Sequence, residues 1–304
     1  MHKWAYLLIA AGAAMWGIIG IFVQALYSFG FSPGQVVAIR AISAASILLI
    51  YTATVNRHSL KIRPLDLKYF IGTGIFSIVF FNWCYFTVIK EASLSVAAIL
   101  LYTAPAFVTV ISRFVFKEWL TFRKIAALIA TILGCALVVG FLPSMQVSVS
   151  TLGIVVGLGS GLGYALYSIF GKLASSKYSS LTITTYTFII AGTFMLPVSR
   201  IWEATDLFAQ AEVWIYALGL GLIPTVLAYT LYTLGLSQIE SSRASITATI
   251  EPIVAAMVGT ALFGDILTGW QVLGIVLVLS AVFLVQEVSR TKHPELNRDG
   301  TCGQ

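Results

Sequence analysis

The sequence predicts an all-α integral membrane protein, with ten transmembrane helices arranged as two inverted five-helix repeats. The chain has 304 residues, of which 59% are hydrophobic and only 10% are charged. A soluble protein of this length carries far more charge. The apolar residues fall into runs long enough to cross a bilayer, and the two halves of the chain share one pattern of proline and polar residues.

Each apolar run is about 20 residues long, which is the length that a helix needs to cross the hydrocarbon core. Little chain remains between the runs, so a soluble catalytic domain has no room. The predicted spans are residues 4–27, 34–55, 67–89, 93–116, 122–142, 150–171, 181–199, 212–236, 242–264 and 268–286.

Basic residues lie mostly on one side of the predicted bilayer. If successive spans cross the membrane in opposite directions, 15 of the 18 Lys and Arg residues lie on the same side as the N-terminus. Lys90 and Arg200 lie on the opposite side, and Arg40 falls within a span. Short cytoplasmic loops are rich in Lys and Arg. We therefore expect both termini in the cytoplasm and the chain in the inner (plasma) membrane. This orientation accounts for the net charge of +6, and we predict no nucleic-acid partner.

A shift of 147 residues aligns much of the second half of the chain with the first. The matched pairs are Asn82 with Tyr229, Tyr85 with Tyr232, Pro105 with Pro252, Glu118 with Asp265, and Thr121 with Thr268. Five spans per unit is an odd number, so the second copy enters the membrane from the opposite side. The basic loop after the fourth span is matched by GDILTGWQ, which holds no Lys or Arg, as inversion requires. Inverted repeats are typical of secondary transporters.

The paired motifs resemble those of the drug/metabolite transporter superfamily, in particular its EamA-like ten-helix exporters. The likeness rests on Trp16 and Gly17, on AAILLYTAPAFVTV…FKE over 97–118, and on ASITATIEPIVAAM…LFGDILTGWQVLG over 244–274. One departure is Asp265, where the family usually has glutamate. The resemblance implies a first repeat at 1–142, an inverted second repeat at 150–287, and a polar cytoplasmic tail at 288–304.

Glu251 and Pro252 lie side by side within the ninth predicted span. A charged side chain at this depth costs at least about 2.5 kcal/mol, so Glu251 should face protein or water. A proline inside a span bends or breaks the helix, and Pro105 predicts the same break in the fourth span. We predict that Glu251 couples transport to protons or anchors a substrate ammonium. The alternative is a neutral Glu251 that only fixes helix packing.

A polar and aromatic face is predicted near the membrane midplane in both halves. Arg40 either binds a substrate carboxylate, closes the outer mouth, or extends to the outer interface. For any single aromatic residue, ordinary packing between helices is the alternative. The candidate substrate-binding residues are Trp16, Arg40, Asn82, Trp83, Tyr85, Tyr102, Tyr164, Tyr229, Tyr232 and Glu251.

These features predict a secondary active transporter that exports small amphipathic metabolites, such as amino acids, by alternating access. Two alternatives are an uptake carrier or facilitator for the same solutes, and a membrane-embedded lipid-processing enzyme. An enzyme needs at least two reactive groups in one pocket, and the midplane offers one acid and no histidine, so we predict no catalytic residues.

The predicted partners are a small-molecule substrate and the lipid bilayer, with the chain a monomer or weak dimer. Its three cysteines, Cys84, Cys135 and Cys302, form no motif, so we predict neither a metal site nor a disulfide. We expect no cofactor.

Overall fold

The computed structural model describes residues 2–143, 150–264 and 266–286. Asp265 and the tail predicted for 288–304 lie outside these residues. Within the described ranges every regular element is helical and no strand occurs. The prediction of an all-α chain is therefore confirmed.

The described chain is built from fifteen α-helices, several of which pair end to end into one longer segment. The helices are α1 His2–Gly17, α2 Ile19–Ser28, α3 Pro33–Thr54, α4 Leu67–Ile71, α5 Phe80–Glu91, α6 Leu94–Leu101, α7 Ala104–Val115, α8 Phe122–Val138, α9 Thr151–Ser175, α10 Ser180–Ser199, α11 Ala211–Gly221, α12 Ala228–Leu236, α13 Ser241–Ala248, α14 Ile250–Phe263 and α15 Gly269–Gln286. Short 3₁₀ turns cover Arg57–Leu60, Pro64–Asp66 and Ile201–Ala209, and Gly72–Val79 and Leu222–Leu227 are π-helical.

Nine helical segments of the described chain are long and apolar enough to cross a membrane, judged by length and composition. They correspond to nine of the ten predicted spans. The remaining prediction, 122–142, contains α8, which has 17 residues and so lies at the lower end of the range that spans a bilayer. The chain thus has the composition of a multi-pass membrane protein.

Two spans are interrupted near their prolines. In the fourth predicted span, Tyr102 and Thr103 separate α6 from α7, and Pro105 lies in the first turn of α7. In the ninth, Thr249 separates α13 from α14, and Pro252 lies in the first turn of α14. Proline is tolerated in a first turn because the N–H group that it lacks would have no helical partner there. A third interruption, at Ile18, divides the first span into α1 and α2.

Helices from the two halves of the chain pack against each other throughout the structure. The most extensive pairings join α8 to α15, α3 to α10, α1 to α12, and α5 to α9. The largest buried cluster lies where α1, α9 and α12 meet, and it includes Trp16, Tyr167, Tyr229 and Tyr232. This arrangement places the aromatic residues of both halves at one central position.

Candidate functional site

Trp16 is the centre of an aromatic cluster contributed by three helices. Its ring centroid lies 6.0 Å from that of Tyr164, 4.9 Å from that of Tyr229 and 5.0 Å from that of Tyr232. Tyr167 packs edge-on against Tyr229 at 4.8 Å. Edge-to-face contacts at these distances stabilise aromatic pairs, so α1, α9 and α12 are held together by one continuous group of rings.

Glu251 lies at the edge of this cluster, in the first turn of α14. Its side chain is half-buried, and its Oε2 accepts a 2.8 Å hydrogen bond from the hydroxyl of Tyr164. The close approach of α1 depends on Gly17, where a Cβ atom would lie 2.7 Å from the Glu251 carbonyl oxygen and 2.6 Å from Cβ of Val254. The pair Trp16–Gly17 therefore places an aromatic ring and a helix contact beside the acid.

Arg40 lies inside the helical bundle on the other side of Tyr229. It is 8% exposed, its Nε donates a 3.0 Å hydrogen bond to Oγ1 of Thr225, and its guanidinium carbon lies 5.6 Å from the Tyr229 ring centroid. Thr225 belongs to the π-helical segment Leu222–Leu227, and its hydroxyl donates to the Leu220 carbonyl at 2.7 Å. Arg40 is therefore anchored within the protein by Thr225 and Tyr229.

Two small cavities flank Tyr164. Tyr164 and Ser168 line both of them. Each has a volume of about 10 Å³, which is room for roughly one water molecule. The first also touches Tyr102, Pro105, Ser245, Thr249 and Glu251. The second also touches Trp16, Ser77, Phe81, Tyr167, Tyr229 and Tyr232. Binding sites for small molecules are usually about 300–1,000 Å³, so the described conformation is closed around this site.

Two polar atoms, each on a residue that lines the second cavity, have no hydrogen-bond partner among the described residues. They are Nε1 of Trp16 and Oγ of Ser77, and both are buried. Buried polar groups in proteins nearly always have a partner. These two are therefore free to bind a polar group that enters the cavity.

The remaining candidates divide into residues near the cluster and one residue that lies apart from it. Asn82 is buried, but its amide donates to the Ile78 carbonyl of its own span at 2.6 Å. Tyr85 is half-buried beside Phe81, and Tyr102 lines the first cavity.

Trp83 is the candidate that the structure places elsewhere. Its side chain is 61% exposed on the outside of the bundle. One residue along an α-helix turns the side chain by about 100°, so Trp83 points away from the face that holds Asn82. The prediction that Trp83 lines the site is wrong.

Several polar residues of the site were not predicted from the sequence, among them Ser77, Ser168 and Thr225. Ser168 shares a 2.6 Å hydrogen bond with the hydroxyl of Tyr232 and lies four residues after Tyr164, hence on the same helix face. That spacing could have identified it. Nothing in the sequence marks Thr225, because its position depends on the π-helical segment.

Glu118, from the FKE motif, holds helix ends together away from the aromatic cluster. Its carboxylate accepts hydrogen bonds from the backbone N–H of Ser241 at 2.7 Å and of Ser242 at 3.2 Å, and from the Ser242 hydroxyl. Lys124 lies 3.8 Å from it and 3.0 Å from Glu240. The acid therefore caps the N-terminus of α13, where the helix dipole favours negative charge.

The described residues contain no group of three or more His, Cys, Asp or Glu side chains that could hold a metal ion. Cys84 and Cys135 are both buried and free. Cys302 lies outside the described residues.

Comparison with known proteins gives consistent results across the chain. The profile of the EamA-like transporter family matches residues 3–140 and again 151–286. An uncharacterized transporter of Archaeoglobus fulgidus is 32% identical over 200 residues, which cover 66% of this chain and 70% of that protein. The uncharacterized transporter YyaM of Bacillus subtilis is 26% identical over 278 residues, 88% of this chain and 90% of its own.

The fold also matches that of a protein of known structure. A crystal structure superposes with a TM-score of 0.76 at 14% sequence identity, covering 92% of this chain and 95% of that chain. At this identity the likeness shows a common fold alone. The family matches cover both halves and most of the length, and the relatives are named as transporters. The chain belongs to the EamA-like transporter family of membrane proteins.

Proposed function

We propose that this protein is a secondary active transporter that exports small amphipathic metabolites, amino acids or closely related compounds, by alternating access. The observation that carries the proposal is the hydrogen bond from Tyr164 to Glu251, because it holds an acid at a helix break beside a buried aromatic cluster. An intramembrane acid in such a position is typical of substrate and proton pathways.

The charges around the cluster suit a zwitterion. Glu251 offers a carboxylate to a substrate ammonium, and the unpaired groups of Trp16 and Ser77 offer donors to a substrate carboxylate. Arg40, held over Tyr229, adds positive charge beside the cluster. The aromatic faces between these groups accept an apolar side chain. An amino acid presents this combination of groups.

Two inverted five-helix repeats, at 1–142 and 150–287, are part of the proposal. The helix interruption at Tyr102 and Thr103 recurs at Thr249, which lies 147 residues after Tyr102. Both third spans contain a π-helical segment, Gly72–Val79 and Leu222–Leu227. The family profile also matches the chain twice, once in each proposed repeat.

Capping and packing support the same symmetry. The side chain of Thr121 accepts from the backbone N–H three residues later, at 3.3 Å, and Thr268 does the same at 3.3 Å. Helix α1 packs along α12, and the equivalent pair in inverted order is α9 with α5. In this arrangement α8 is the fifth span and brings the total to ten, and both termini lie on the cytoplasmic side of the inner membrane.

The small size of the cavities supports the proposal of alternating access. Each holds about one water, with a volume of about 10 Å³, so a metabolite enters only after the helices around it move apart. Thr249 and the pair Tyr102–Thr103 interrupt the two helices that border the first cavity. We assign the bending to these interruptions, because a broken helix has fewer backbone hydrogen bonds to lose there.

Counterflow in proteoliposomes tests the proposal, with a mixed panel of amino acids and with or without a pH gradient. We expect exchange of at least one amino acid, faster when a pH gradient is imposed. Glu251→Gln should lose the response to the gradient, because the amide cannot carry a proton, and the remaining exchange should have a raised KM, because the amide offers no charge to the substrate ammonium. The matched control is Glu203→Gln, at an exposed acid, which should behave like the unaltered protein.

Each outcome bears on one part of the proposal. A Glu251→Gln variant that transports and responds to pH normally removes Glu251 from the mechanism. Failure to exchange any amino acid overturns the substrate class. Net accumulation inside vesicles of known orientation distinguishes export from uptake.

A further inference from the structure

A larger groove, which shares no lining residue with the two small cavities, lies where the turn after α3 meets the turn between α9 and α10. Its volume is about 590 Å³. The polar residues that line it are His58, Lys61, Arg63, Asp66, Lys177 and Tyr178. The charge distribution of the loops predicts that this end of the bundle faces the cytoplasm.

Asp66, Lys177 and Tyr178 form a fixed wall of the groove. Lys177 Nζ lies 2.7 Å from Oδ1 of Asp66, and the Tyr178 hydroxyl donates to Oδ2 at 2.8 Å. The same hydroxyl accepts from the backbone N–H of Arg63 at 3.0 Å. The hydrogen bond to Asp66 raises the pKa of the Lys177 ammonium, so this pair remains ionised and its two charges cancel.

Lys61 and Arg63 give the groove a positive charge that no neighbouring carboxylate among the described residues compensates. Both side chains are exposed. Throughout 2–143, 150–264 and 266–286, no carboxylate lies within ion-pair distance of either one. Since Asp66 already pairs with Lys177, the groove presents two uncompensated cations.

Apolar side chains lie directly beside these cations. Leu65, between Arg63 and Asp66 in the chain, is 87% exposed, and Leu67 is 40% exposed. They begin the helical segment Pro64–Glu91, which is long and apolar enough to cross a membrane. Cations next to exposed leucines at a span end match the two parts of a phospholipid, a charged headgroup and its acyl chains.

We propose that this groove binds the phosphate headgroup of an anionic phospholipid from the predicted cytoplasmic leaflet, with Lys61 and Arg63 as its ligands. Arg63 supplies a planar fork that binds phosphate through two parallel hydrogen bonds, and Lys61 supplies a point charge. Leu65 and Leu67 contact the acyl chains. A free inorganic phosphate shares the headgroup chemistry but lacks the acyl chains.

The test is a titration of the purified full chain in a neutral detergent. Three probes are added separately: phosphatidylglycerol, phosphatidylcholine and inorganic phosphate. Retained lipids are counted by native mass spectrometry, and the thermal unfolding midpoint is followed in parallel. We expect phosphatidylglycerol to bind and to raise the midpoint, and phosphatidylcholine and inorganic phosphate to do neither at equal concentration.

A variant with Lys61→Gln and Arg63→Gln should bind phosphatidylglycerol about 25-fold more weakly, since each cation at an anionic surface contributes a factor of about five. The control is Lys68→Gln with Arg123→Gln, which removes the same charge from exposed positions outside the groove. It should bind like the unaltered chain.

Three results would overturn the proposal. Equal loss in both double variants would mean that general surface charge attracts the lipid. An equal midpoint shift with inorganic phosphate would identify a site for a free anion. Unchanged binding in the Lys61/Arg63 variant would remove the groove from lipid binding.

Discussion

The hydroxyl of Tyr164 donates a 2.8 Å hydrogen bond to Oε2 of Glu251, which joins the middle of α9 to the first turn of α14. The two residues are 87 positions apart, and each lies next to a cavity. The bond therefore connects the central aromatic cluster to one of the two broken helices. A movement of α14 that opens the cavity would stretch or break it.

Tyr164→Phe should weaken the link between α9 and α14. A hydrogen bond to a charged group is worth about 1.5–3 kcal/mol, so we expect a lower thermal unfolding midpoint and impaired exchange. A double-mutant cycle with Glu251→Gln measures the coupling. Additive effects of the two changes would show that the bond does not couple the residues.

Trp16→Phe should impair substrate binding, and it should also lower the unfolding midpoint because the smaller ring loses part of the contact with Tyr164, Tyr229 and Tyr232. The Nε1 group of Trp16 is buried and has no partner among the described residues, so its removal leaves no other group unpaired. If the group binds substrate, the KM for exchange should rise by about tenfold, the worth of roughly one hydrogen bond. Trp83→Phe is the matched control, because Trp83 is 61% exposed. Equal effects of the two changes would contradict the assignment.

Arg40→Lys should destabilise the protein although charge is kept. Lysine has no Nε donor at the position that bonds Thr225, and its ammonium does not reproduce the planar contact with Tyr229. We expect a loss of about 2 kcal/mol, read as a lower unfolding midpoint. Arg123→Lys, at an exposed position, should have no effect. An Arg40→Lys variant with an unchanged unfolding midpoint would mean that the side chain contributes only its charge.

Glu118→Gln should destabilise the end of the bundle where α13 begins. The change removes the negative charge that caps Ser241 and Ser242 and that faces Lys124. A buried, charge-assisted cap is worth about 1.5–3 kcal/mol, whereas an exposed ion pair is worth about 0–1 kcal/mol. Glu203→Gln, at the exposed pair with Arg200, is therefore the control. Equal midpoints for both variants would contradict the capping role.

Cysteine labelling tests the inverted repeats. Arg123 and Trp270 are 147 residues apart and both exposed, so Arg123→Cys and Trp270→Cys report equivalent positions of the two repeats. In a background without native cysteines, an impermeant thiol reagent added outside should label Trp270→Cys alone. Labelling of both from one side would contradict the inverted arrangement, and with it the transport mechanism proposed above.

Much of the fold could be predicted because it depends on local pattern. The length and position of the apolar runs identified nine helical segments of spanning length. The structure has helix interruptions close to Pro105 and Pro252, where a missing N–H group disfavours a continuous helix. The family likeness also rested on local motifs, and the profile matches on both halves confirm it.

The residues of the site were harder to predict, because the rotation of each helix about its axis decides which side chains face the cavities. Trp83 has the residue type expected of a binding site, yet it faces outward while its neighbour Asn82 is buried. Ser77 and Thr225 lie in π-helical segments, where the turn is wider and the usual spacing of three or four residues no longer gives the face.

Hydropathy and proline chemistry act over a few residues, so they were enough to predict a helical membrane protein with an acid and a proline inside one span. The hydrogen bonds of Tyr164 with Glu251 and of Arg40 with Thr225, and the cap that Glu118 forms on a distant helix, became known from the folded chain. Those contacts join residues 87, 185 and 123 positions apart. Their partners are set by how the helices pack and rotate, which no local pattern specifies.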